Sequence, residues 1–150
     1  MRPFLFAAAL IAMPAFAQDV AAPHPPEGAA INQTIPLRDA SGAYLTPNLR
    51  IGADETSWHV RAALNVAALG CRDAAEAVTV ASYNRMIGRH RKPLAAADAG
   101  VKAAHRQRFG ARWEAEHDAR MTRVYNFFAQ PPAQRGFCAA ARAVLASPST

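Results

Sequence analysis

The chain has 150 residues and a net charge of +6, from seventeen Lys and Arg against eleven Asp and Glu. That length fits one domain, and no stretch beyond the first twenty residues is long and apolar enough to span a bilayer. Only two cysteines are present and no Cys-x-x-Cys occurs, which excludes a dithiol redox motif.

The N-terminus reads as a secretory signal peptide. Arg2 gives a short positive region, Phe4 to Ala12 is an apolar run, and Ala15-Phe16-Ala17 supplies a small-x-small cleavage site before Gln18. Cleavage after Ala17 leaves 133 residues of net charge +5, in the periplasm or outside the cell. No cysteine follows the cleavage site to carry a lipid.

Residues 18–50 hold five prolines, at 23, 25, 26, 36 and 47. Proline lacks the backbone donor and disfavours helix in the residue before it, so this segment is expected to be irregular, with a flexible lead-in over 18–30. Ile35 to Leu37 and Tyr44 to Thr46 flank the turn-prone Asp39-Ala40-Ser41-Gly42. They predict a small hairpin or an extended strap against a helical domain over 51–150.

A first helix is expected from about Thr56 to Leu69, capped by Thr56 or Ser57, with an apolar stripe of Val60, Leu64 and Ala67 or Ala68. Gly70 is its stop, and Asp73-Ala74-Ala75-Glu76 has capping-box spacing for the next helix. In that second helix Val80, Tyr83, Ile87, His90, Leu94, Ala97, Val101 and Ala104 keep one phase through Pro93. Continuity of phase favours one long kinked helix from Asp73 to about Phe109, stopped by Gly110, with a clean break at Lys92-Pro93 as the alternative. A third helix over about Ala111–Ala129 ends before Pro131-Pro132, and a short fourth covers about Ala133–Ala146.

In an exported chain the two cysteines most economically pair with each other, Cys71 with Cys138. The 39 residues from Cys71 to Gly110 span roughly 58 Å as helix, and the return to Cys138 covers roughly 50 Å. The arms match if the fourth helix continues the direction of the third. The expected fold is therefore an all-α small bundle, built on a long kinked helix with antiparallel partners and closed by one disulfide, with a Pro-rich N-terminal strap.

Three groups of residues carry candidate chemistry. Arg85, Arg89, Lys92, Lys102 and Arg106 follow one side of the long helix, a stripe that suits anionic lipid or lipopolysaccharide outside the cytoplasm better than nucleic acid. The alternative is a solvated face of no specific use. Tyr83-Asn84 lies twelve residues after Cys71, and Tyr125-Asn126 thirteen before Cys138. Equal contour places them at similar heights, where with His90 they would form a polar cluster that fixes helix register or lines a ligand pocket. Phe127-Phe128 ahead of Pro131-Pro132 is expected to anchor its loop on the long helix or, if exposed, to contact a protein. Glu114-x-x-His117 has half of a di-iron spacing, but the second such motif is missing. Neither a metal nor another cofactor is expected.

No Gly-x-Ser-x-Gly, His-Glu-x-x-His, P-loop or dinucleotide fingerprint occurs. In Trp58-His59-Val60-Arg61, Leu64-Asn65-Val66-Ala67-Ala68-Leu69, Cys71, Tyr83-Asn84 and Tyr125-Asn126-Phe127-Phe128, the chain resembles small exported helical proteins of alphaproteobacteria. The resemblance covers roughly residues 44–145. It implies an exported, disulfide-closed bundle and brings no catalytic residues. The expected function is non-enzymatic binding of anionic envelope material or an envelope protein. The alternative is a small-ligand carrier or enzyme using Tyr83, Asn84, His90, Tyr125 and Asn126.

Overall fold

The computed structural model describes residues 28–147, apart from 31 and 34; the expected signal peptide and most of the expected lead-in over 18–30 lie outside the described residues. Five helices follow a short strap: α1 (Ala53–Gly70), α2 (Glu76–Arg89), α3 (Arg91–Phe109), α4 (Trp113–Phe128) and α5 (Gln134–Leu145). Single 3-10 turns, Gly110–Arg112 and Pro131–Ala133, lead into α4 and α5. Among the described residues there is no β-strand, and no helix is long and apolar enough to cross a membrane.

The hub is α1, which packs against all four other helices. Its buried face is His59, Ala62, Leu64, Ala67 and Ala68. Alanine lets neighbouring backbones come close, so a helix made largely of small residues suits a central position. Leu64, Ala67 and Ala68 of the expected stripe are buried, but its first residue, Val60, is 46% exposed, and His59 beside it is inside. The start also moves, since Gly52 is the N-cap and the Thr56 hydroxyl donates back to the Gly52 carbonyl instead of capping. Leu64, Ala67, Ala68 and Cys71 join Tyr83, Met86, Cys138 and Ala141 in the core.

The long helix is kinked at His90, where α2 gives way to α3. The His90 N–H still reaches the Met86 carbonyl and the Leu94 N–H the His90 carbonyl, both at 2.9 Å. Pro93 is the third residue of α3, where its missing donor leaves no intrahelical bond unmade. The expected stripe is the one that packs: Tyr83, Ala97 and Val101 are buried, and Val80, Ile87 and Leu94 lie against the core. Gly110, at φ 55°, stops α3. At Gly100 the absence of a β-carbon leaves room for the Asp54 side chain of α1, which a β-carbon there would push aside.

The Cys71–Cys138 disulfide ties the C-terminal cap of α1 to α5. Around it, Arg142 donates to the buried Thr79 hydroxyl at 2.9 Å and to both Asp73 oxygens at 2.7 and 2.8 Å. Asp73 forms half of the expected capping box, accepting from the Ala75 N–H, while Glu76 pairs with Arg72 instead of reaching back. The Asp73 carboxyl is held below its ordinary range, first by Arg142.

The strap runs beside α4. Its hairpin is a single antiparallel bridge, Arg38 to Tyr44, around a turn in which Asp39 Oδ1 accepts from the Ser41 and Ala43 N–H groups. Gly28 packs on Pro131, and Arg120 of α4 donates to the Pro47 carbonyl at 2.8 Å.

Candidate functional site

An apolar groove of about 320 Å³ follows α1 from Thr56 to Leu64 and is closed by α5. Leu64 and Ala141, both buried, also belong to the core; Val60 and Val144 are half-exposed. Phe128 of α4 stacks on Phe137 of α5, with ring centres 5.9 Å apart, and both rings line the wall. Phe128 therefore anchors on α5 and not on the long helix. The strong one-sided patterning of α5 explains its part: Phe137, Ala140, Ala141 and Val144 recur at helical spacing and face α1.

One polar couple sits in this wall. His59 is 3% exposed, and its Nδ1 lies 2.8 Å from Asn48 Oδ1. An amide oxygen accepts, so Nδ1 carries the proton and Nε2 is the acceptor of the neutral ring. Burial pushes the His59 pKa below its ordinary value and the nearby Arg120 lowers it further, against a smaller opposing effect of Glu55. The ring is thus neutral at pH 7. Asn48 is held through its loop, since Arg120 bonds the Pro47 carbonyl and Glu55 Oε1. Apart from the Thr56 hydroxyl, which donates to the Gly52 carbonyl, the groove accordingly offers hydrocarbon contact with a single fixed imidazole and amide, and no paired carboxylates.

The Tyr-Asn residues do not converge. Tyr83 is buried beside the disulfide and its hydroxyl has no partner among the described residues, whereas the Tyr125 hydroxyl accepts from Arg61 at 3.0 Å. Asn84 and Asn126 are exposed and line separate surface depressions. His90 sits at the kink with Nε2 buried and without a hydrogen-bond partner among the described residues. No hydrogen bond links any two of the five. Contour arithmetic treated the two arms as neighbours, but α2 packs on α1 and α5 while α4 packs on α1 and α3.

The basic stripe is divided. Arg85, Arg89 and Lys92 are exposed around the kink, with Arg85 donating to Ser82. Lys102 is paired with Asp98 at 2.6 Å, and Arg106 lies over the Trp113 ring at 4.1 Å. His117 meets the His105 ring edge-on at 5.1 Å, and burial, then His105, push its pKa down. Among the described residues no three ligating side chains gather around a point where a metal ion would sit.

His59 is the residue that sequence reasoning passed over. Its signal was present, since Ala62, Ala63, Val66 and Ala67 continue its face at helical spacing. No family model, curated protein or solved structure matches this chain, so the groove and its histidine carry the functional reading.

Proposed function

We propose that this is a non-enzymatic binding protein of the cell envelope or exterior, and that it takes a small apolar molecule with one hydrogen-bonding group into the α1–α5 groove. The observation that carries this reading is the buried, neutral His59 set in a largely apolar wall of ligand-sized volume. A hydrocarbon body would lie along Leu64, Ala141 and Val144, and a hydroxyl would meet the imidazole acceptor. The disulfide and the signal-like N-terminus support an oxidising compartment. Binding of anionic surfaces through the basic stripe has less support, because Lys102 and Arg106 are already engaged within the fold.

Fluorescence titration with the neutral probe N-phenylnaphthylamine tests the reading. Saturable one-to-one binding is expected, and the Ala63→Phe/Ala140→Phe variant, which fills the groove from both helices, should lose it while keeping its helical circular dichroism. No rise in fluorescence, or equal binding by the filled variant, would remove the groove as the site.

A further inference from the structure

On the other side of the strap lies a second cavity, of about 400 Å³, between residues 49–51, α3 and α4. It shares only Ile51 with the apolar groove, and its walls are mostly polar. Four arginines line it: Arg50, Arg108, Arg120 and Arg123. The carboxylates in the same wall are Glu55 and Glu116. Glu55 is committed to Arg120 at 3.2 Å, and Glu116 is answered from outside the cavity by Arg112 at 3.7 Å. Arg50 is paired with Asp39 at 2.8 Å. Among the described residues Arg108 makes only a ring contact, over Phe109, and Arg123 makes no hydrogen bond or ion pair.

We propose that this basin is a binding site for a small anion carrying two or more negative charges, of the phosphate or dicarboxylate class. Gathering four guanidiniums around one cavity with two carboxylates leaves an excess of two positive charges, which repel one another until an anion enters. The placement is built into the elements. Arg120 and Arg123 stand three residues apart on one face of α4, and Arg108 comes from the last turn of α3. Arg120 is fixed in advance by the Pro47 carbonyl and Glu55, so a ligand meets an ordered guanidinium. Arg50 has φ 56°, a left-handed conformation rare outside glycine, of the kind retained where a side chain must be presented to a site. The planar guanidinium suits phosphate and carboxylate oxygens alike, which is why the two classes are separated by experiment.

The test is calorimetric titration of the disulfide-bonded chain with inorganic pyrophosphate and, separately, with succinate, at physiological ionic strength. Saturable binding of at least one is expected; pyrophosphate alone would assign the phosphate class and succinate alone the dicarboxylate class. Arg108→Ser/Arg123→Ser should weaken binding about tenfold or more per arginine. Arg85→Ser/Lys92→Ser removes the same charge from the kink and should change it by less than about twofold. Neither replaced basin residue holds the fold together, and amide shifts in the unaltered protein give a second measurement, expected at His105, Arg108 and Arg120. The proposal is overturned by no saturable binding of either anion up to about 10 mM, by equal losses in the two double variants, or by shifts centred on the α2–α3 kink.

Discussion

His59 is buried and His117 half-buried, and the pKa values of both rings lie below the ordinary 6.5. The folded state therefore holds fewer protons on these rings than the unfolded chain does, and stability rises with pH across their titration. Their contribution is fully present above pH 6.5. It is lost as the pH falls through that value toward the lowered folded pKa, below which it levels off. Thermal unfolding between about pH 7 and pH 5 should show a falling Tm in the native chain and a shallower fall in His59→Gln/His117→Gln. Parallel profiles for the two proteins would show that the rings are not kept neutral by the fold.

Glycines separate two roles at the level of the helix. Gly110, at φ 55° and ψ −127°, ends α3 in a backbone region that a β-carbon strains even though nothing lies within 4 Å. Gly110→Ala should cost about 1–3 kcal/mol of stability. Gly88, one residue from the end of α2 and equally open, has ordinary helical geometry. There alanine should add about 0.5–1 kcal/mol by lowering the entropy of the unfolded chain. Urea denaturation of both variants checks the pair, and a stabilising Gly110→Ala would contradict the assigned stop.

The elements differ in how openly the sequence declares them. The long helix was legible because large residues, Tyr83, Ile87, Leu94 and Val101, alternate with arginine and alanine and so keep a clear phase through Pro93. The kink falls at His90 because the proline ring excludes the Arg89 carbonyl from the ladder, a displacement of one turn toward the N-terminus. The buried face of α1 was much less legible. Where most candidates are alanine, hydrophobic contrast around the helix is weak, and burial is decided by which neighbours arrive, not by pattern. Val60 was thereby taken for core while His59 was given no place, and the groove with its polar couple went unseen. The cavity of arginines depends on residues far apart in sequence, from Arg50 to Arg123, whose meeting only packing can show.

For the molecule as a whole, the disulfide closes a loop of sequence separation 67 between the hub helix and the last one. In the chain-entropy account such a closure stabilises the fold by about 4 kcal/mol, a large share of a small domain's net stability. Cys71→Ala/Cys138→Ala should lose about that much in urea denaturation, while keeping its helical circular dichroism. An unchanged midpoint would mean that packing around α1 alone sets the stability. Because α5 forms one wall of the groove and is held by Cys138, the same variant should also bind an apolar probe less tightly.

The groove is the feature on which the functional account rests, and bound-ligand NMR reads it most directly. With N-phenylnaphthylamine bound to labelled protein, intermolecular Overhauser effects are expected from the probe's ring protons to the methyl groups of Val60, Leu64 and Val144. Contacts confined to the exposed hairpin residues Leu37 and Leu45, or none at all, would contradict the account.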